Sequence, residues 1–201
     1  IKIGVILQGA ETPFMKEVLK GIQEACAEVD NLGGTVLVHK IEHQNAEDVI
    51  LAMEKMRMEE VSGIAMVPLD EERVKREIDR FVEEFRIPVV TFTSDVEDTK
   101  RLCFVGQNGV QCGRAAAGLM GELTGGKGKV AVISGYSTNT SLSSRVVGFR
   151  EEIARKYPGI EIIGPEYCFE ENGRAREITE GIFKDVPDLD GIYLTSHGEE
   201  G

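Results

Sequence analysis

The first residues that suggest chemistry are Gly121-x-x-x-x-Gly126-Lys127. A phosphate-cradling loop needs a following Ser or Thr hydroxyl for magnesium, a strand before it and a helix after it. Here Gly128 follows, and the segment lies after a predicted helix and before a predicted strand. It reads as a helix stop and a turn. The opening strand runs into Leu7-Gln8-Gly9-Ala10 without G-x-G-x-x-G, which disfavours a dinucleotide site. His39 and His43 are four apart, but a strand and loop keep them off one helical face, and His197 is alone. No metal site is expected. Cys26, Cys103, Cys112 and Cys168 form no C-x-x-C. Four free thiols are expected, with Cys26 buried on a helix stripe, and this leans toward a reducing compartment. There is no G-x-S-x-G elbow, and no cysteine has a histidine partner in sequence. Asp70 ends a predicted strand, where a phospho-acceptor would sit, but the paired acids needed after the first strand are missing. It is expected to cap a helix. Nothing here argues for an enzyme or a cofactor.

Composition narrows the field further. The 201 residues are 41% apolar and 29% charged, ordinary for a globular protein. Net charge is −12, with 13 Lys and Arg against 21 Asp and Glu up to Cys103, and 10 against 14 beyond. Both parts are acidic, so neither offers the basic face that DNA phosphates require. No apolar run approaches the ~20 residues needed to span a bilayer. The chain opens on Ile1-Lys2-Ile3-Gly4-Val5-Ile6-Leu7, which lacks the basic start and cleavage site of a leader. A processed or trimmed chain would look the same.

The elements that must position any site alternate regularly. Strands are predicted at 1–7, 35–42, 63–69 and 88–94. Between them fall amphipathic helices. Thr12 caps the first, with Pro13 at its first position, and Phe14, Val18, Ile22, Cys26 and Val29 share one stripe. Asn45 caps the second, whose buried face carries Val49, Ile50, Met53 and Met56. Val74, Ile78, Phe81, Val82 and Phe85 form the stripe of the third. The pattern then repeats, with helices at 109–124, 141–157 and 173–185 and strands at 129–134, 160–167 and 191–195. Near-continuous apolar strands alternating with such helices mean parallel sheets covered on both faces. The fold class is therefore α/β, with two doubly wound parallel-sheet lobes, 1–103 and 104–201. A hinge is expected near 103–107, and the second lobe is expected to be incomplete.

In an open parallel sheet, ligands bind outside the carboxyl ends of the strands. Those ends supply 8–15, Leu69-Asp70, Thr93-Ser94-Asp95, 134–145, 170–174 and Thr195-Ser196-His197. Two lobes facing each other across such edges would make a polar cleft.

These residues, taken in order, resemble the type I periplasmic-binding-protein superfamily, and within it the effector domain of lac-repressor-family transcription regulators. The resemblance is carried by Thr12-Pro13-Phe14-Met15, Pro88-Val89-Val90-Thr91-Phe92, Phe104-Val105-Gly106-Gln107-Asn108 with Gly113-Arg114-Ala115-Ala116, Arg145-Val146-Val147-Gly148-Phe149 and Asp190-Gly191-Ile192-Tyr193. It implies that Phe14 lies against a sugar ring, unless it is a core helix residue. It implies that Arg145 forks hydrogen bonds to neighbouring hydroxyls, unless it sits in a surface ion pair. The acid that ends the fourth strand in sugar binders falls on Thr93. Asp95 would take over hydroxyl recognition, or serve the turn. Ser196 falls where the family often has Asn, and Met15 where a second aromatic is usual. The implied ligand is a small sugar, phosphosugar or polyol. The implied function is effector sensing in a cytoplasmic homodimer that meets operator DNA only through an absent helix-turn-helix. The alternative is a solute receptor of a sugar ABC transporter, periplasmic or an extracellular lipoprotein.

Overall fold

The structure, a computed structural model, describes residues 1–41 and 44–196. His43 and His197, weighed above as metal ligands, lie outside these, as does the predicted strand end at Glu42. The chain divides into two compact units, Ile1–Gly106 and Gln107–Gly201.

The first unit runs β1 (Lys2–Gln8), α1 (Pro13–Asn31), β2 (Thr35–Ile41), α2 (Ala46–Met58), β3 (Gly63–Met66), α3 (Glu72–Glu83), β4 (Val89–Phe92) and β5 (Cys103–Val105). Its five strands are all parallel, in the order β2-β1-β3-β4-β5. Parallel neighbours need crossovers; α1, α2 and α3 supply those up to β4, and the irregular segment 93–102 makes the one from β4 to β5. The larger core packs α2 and α3 on one face through Val49, Met53, Val74, Ile78 and Phe81, all fully buried beside Ile6, Met66 and Val89. The smaller core sets α1 against Val5, Leu7 and Val67.

Local signals explain the helix starts. The Thr12 hydroxyl accepts from the Met15 amide at 3.3 Å, with Pro13 opening α1. Asn45 accepts from the Asp48 amide at 2.8 Å and caps α2. Two expectations need correction. Met15, not Phe14, is the buried residue of α1, and Cys26 is only half-buried, because only Met15 of this helix joins the buried part of the smaller core. Asp70 is not a cap either. Glu71 takes that position without a side-chain bond, and Asp70 pairs with Lys75 at 2.8 Å.

The second unit runs α4 (Gly109–Leu123), β6 (Lys127–Ser134), α5 (Thr140–Lys156), β7 (Gly159–Tyr167), α6 (Asn172–Asp185) and β8 (Gly191–Leu194). The parallel order is β7-β6-β8. Helices α4 and α5 cover one face through Ala117, Val146, Phe149 and Ile153, and α6 covers the other through Ala175, Ile178 and Ile182. Between Leu123 and Lys127 the turn uses Gly125 and Gly126 at φ +65° and +76°, so the near-miss phosphate motif is a helix stop.

Glycines let α4 and α5 touch backbone to backbone. A Cβ on Gly148 would fall on the Val110 carbonyl, and one on Gly113 on the Arg145 carbonyl. Ion pairs finish the α5 end. Glu152 takes hydrogen bonds from Arg155 and Lys156, which hold its carboxyl down to about 2. A carboxyl held below its ordinary value contributes stability above that value and loses it as pH falls. Glu152→Gln should therefore lower stability at neutral pH. Its deficit against the parent should close as pH falls from 4.5 towards 2, followed by urea unfolding across that window. A deficit that does not change with pH would remove the ion pairs as its cause.

Candidate functional site

In the first unit the strand tips gather Gln8, Phe14, Thr93 and Asp95. Gln8 ends β1 and is buried, and its Nε2 donates to the Val67 carbonyl at 2.6 Å. That bond fixes the amide, and the buried Oε1 has no hydrogen-bond partner. A buried acceptor left unpaired is costly, so its presence at a strand tip marks a place where a ligand donor can be met. Phe14 is the second residue of α1 and is 64% exposed. That exposure removes the core reading and leaves a ring face open.

Thr93 follows β4 with φ at +60°, and its amide donates to the Val105 carbonyl at 3.1 Å. A β-branched residue rarely adopts this conformation, and such strain collects at functional sites. Asp95 is engaged. It accepts from the Thr91 hydroxyl at 2.7 Å and from Arg101 Nη2 at 2.6 Å, and Arg101 Nε lies 2.5 Å from its other oxygen. The pair is less than one-fifth exposed. Sequence reading offered Asp95 as a hydroxyl acceptor or a turn residue, and the geometry makes it the clamp of the 93–101 loop. Asp95→Asn should lower stability by about 2 kcal/mol, a buried-pair loss discounted for partial exposure. A double-mutant cycle with Arg101→Met measures it, and additive single effects would show that the pair is not coupled.

In the second unit the tips of β6, β7 and β8 carry Ser134, Tyr136, Phe169, Thr195 and Ser196. The Thr195 hydroxyl donates to Ser134 Oγ at 2.8 Å, both residues buried. Ser196 Oγ lies 3.5 Å from Cys168 Sγ. Arg145 reaches this edge from α5. Its Nη1 donates to the Thr195 carbonyl at 3.1 Å and its Nη2 to Gln107 Oε1 at 3.2 Å, while its buried Nε has no hydrogen-bond partner. Among the described residues Arg145 forms no ion pair, and Arg145 and Ser196 lie at the same strand edge.

Sequence reading missed an aromatic pair here. Tyr136 and Phe169 stand 5.4 Å apart, tilted by 59°. Phe169 is 47% exposed and, with Glu170, takes a positive φ, which turns the loop after β7 so that the ring meets Tyr136. Burial, with Glu170 and Glu171 nearby, pushes the Tyr136 phenol above its ordinary value. The only available signal was an aromatic just past each of two predicted strands.

Other features of this unit point elsewhere. A pocket of about 730 Å³ lies on the α4–α5 surface, lined by Gln111, Arg114, Ala115, Glu151, Glu152 and Arg155. Its charges are paired within it, Arg114 with Glu151 and Arg155 with Glu152. Among the described residues no group of three or more His, Cys, Asp or Glu could hold a metal ion. All four cysteines are free. No described helix is long and apolar enough to cross a membrane.

Two α/β units, each with a parallel sheet whose strand tips carry polar residues, define the periplasmic-binding-protein-like class of fold. The match to a family model is direct: the chain belongs to the periplasmic binding protein domain family, over residues 3–201. A comparison with curated protein sequences finds no match. Solved structures do match. The chain is similar to an ABC transporter solute-binding protein from Burkholderia graminis in complex with D-arabinose, at 26% identity and a TM-score of 0.90 over 98% of this chain and 66% of that one. It is similar to the glucose-galactose binding protein GanP of Geobacillus stearothermophilus, at 27% identity and a TM-score of 0.88 over 98% and 69%. It is also similar to the sugar-binding protein of a Bacillus halodurans sugar ABC transporter, at 27% identity and a TM-score of 0.79 over 100% and 67%. The chain thus spans slightly less than two thirds of the Burkholderia protein's length. These relatives are sugar-binding proteins rather than enzymes.

Proposed function

We propose that this chain is the ligand-binding part of a sugar receptor serving an ABC transporter. The supporting observation is that three similar structures at 26–27% identity are described as an ABC transporter solute-binding protein or as sugar-binding proteins, over nearly the whole of this chain. That likeness favours the receptor alternative over the lac-repressor-type regulator, and with it a place outside the cytoplasm over one within it. The regulator's homodimer and operator DNA have no support among these relatives.

The proposed ligand contacts are Phe14 and Thr93 from the first unit and Arg145 and Ser196 from the second. Gln8, Tyr136 and Phe169 join them. Asp95 acts at one remove, by holding Arg101 and the loop that carries Thr93. An exposed aromatic face suits the C–H surface of a sugar ring, and fixed polar groups suit its hydroxyls. The segment 103–107, where the chain leaves the first unit, is the proposed hinge.

A thermal-shift screen and calorimetry against D-arabinose, D-glucose, D-galactose and their acid derivatives test the reading. A specific binder raises the melting temperature in step with its occupancy. The receptor reading predicts at least one binder and a monomer in size-exclusion chromatography. A panel without any binder would sink it, and a stable dimer would return the regulator to first place.

A further inference from the structure

Within the second unit the guanidinium of Arg145 is held through both terminal nitrogens, and the two holds differ in firmness. Nη1 donates to the Thr195 carbonyl at 3.1 Å. Thr195 is buried, its amide donates to the Ile133 carbonyl at 3.0 Å, and its hydroxyl donates to Ser134 Oγ at 2.8 Å. The paired tips of β6 and β8 thus lock that carbonyl in place. Nη2 donates to Gln107 Oε1 at 3.2 Å. Gln107 is exposed and lies between β5 and α4, outside any helix or strand. Cys112 Sγ stands 3.9 Å from the same oxygen, a long contact from a weak donor.

An exposed hydrogen bond is a near-even exchange with water, and a Gln side chain gives up rotamer freedom to keep it. The Gln107 bond is therefore the one that yields, while the Thr195 bond keeps the guanidinium in place. Nε is buried, so a ligand oxygen coming from solvent meets the terminal nitrogens. We infer that the Gln107 amide is a built-in competitor of the ligand at Arg145: it holds Nη2 until a ligand oxygen displaces it. A binding-competent form that is only part of the population lowers the apparent affinity by that fraction. Gln107 thereby sets how tightly the site binds rather than what it binds. The inference rests on the receptor reading above, and it adds a residue that tunes that receptor.

Calorimetry on the whole chain tests this, with D-arabinose, D-glucose, D-galactose and their acid derivatives as probes. Circular dichroism and the melting temperature of each variant show whether it has folded. Gln107→Leu removes the acceptor at similar size and should bind the tightest probe about 2- to 10-fold more tightly, the span of one exposed hydrogen bond. Gln107→Glu puts a carboxylate on the guanidinium, a stronger hold, and should bind the same probe about 3- to 10-fold more weakly. Added salt should shrink that loss by screening the new pair. Weaker binding by folded Gln107→Leu overturns the inference, because the amide would then position the arginine for its ligand. Unchanged affinity in both variants also overturns it, because the ligand would then leave the Gln107 bond intact. In either case the receptor reading stands. A panel in which nothing binds overturns the receptor reading itself, and the inference with it.

Discussion

Phe149→Ala is expected to lower the unfolding free energy by about 3–5 kcal/mol, the largest loss of any single side chain proposed here. Phe149 is fully buried on α5 and stacks on Tyr193 of β8, ring centroids 4.4 Å apart and 20° from parallel. It joins Val130, Val132 and Ile153 in the core beneath α4 and α5. Removing the ring loses its transfer energy and leaves a cavity between helix and sheet, and a ring stack is lost as well. The same ring fixes the face of α5 that carries Arg145 one turn earlier. Urea unfolding gives the energy, and ligand titration of the folded fraction gives the second effect. A loss under 1 kcal/mol would mean that the sheet closes onto α5 without it.

The second large effect comes from adding an atom. Gly148→Ala places a Cβ on the Val110 carbonyl, which belongs to the backbone of α4 and cannot rotate away. The helices must separate, at about 3 kcal/mol, the upper range for overpacking. Gly113→Ala should behave alike, since its Cβ meets the Arg145 carbonyl and the Phe149 amide nitrogen. Gly118→Ala is the control. It lies in the same α4, with nothing within 4 Å of its Cβ, and should stabilise by about 0.5–1 kcal/mol through helix propensity alone. Opposite signs at Gly148 and Gly118 are the signature of close helix contact. Equal small gains at both would show that α4 and α5 are not held together by these glycines.

Most of this architecture is legible in the sequence, because its signals are local. The caps at Thr12 and Asn45, Pro13 at the first helical position, and the apolar runs of β1, β3 and β6 each act within a few residues. Errors arose where neighbours compete for one role. Asp70 and Glu71 are both plausible caps, and only the backbone of the turn decides between them. Phe14 and Met15 both lie at the start of α1, and a one-residue step turns a side chain by 100°, from core to solvent.

The candidate site was harder to read because its contacts join residues far apart. Gln107 and Arg145 are 38 residues apart, and Arg145 and Thr195 are 50 apart. Tyr136 and Phe169 meet only because parallel β6 and β7 put their following loops at the same end. Asp95 and Arg101 pair across an irregular segment, where no periodicity predicts which charges meet. Residue type singled out Arg145 as a candidate, but only its surroundings show which oxygens it holds.

Gln107 is the first residue of the second unit, and its side chain rests on Arg145. A ligand oxygen that took the Nη2 hydrogen of Arg145 would compete with that amide. Occupancy would then be felt at the point where the polypeptide enters the second unit, through a bond given up rather than one gained. The protein would need no dedicated relay for this, because the guanidinium proposed to meet the ligand already holds Gln107.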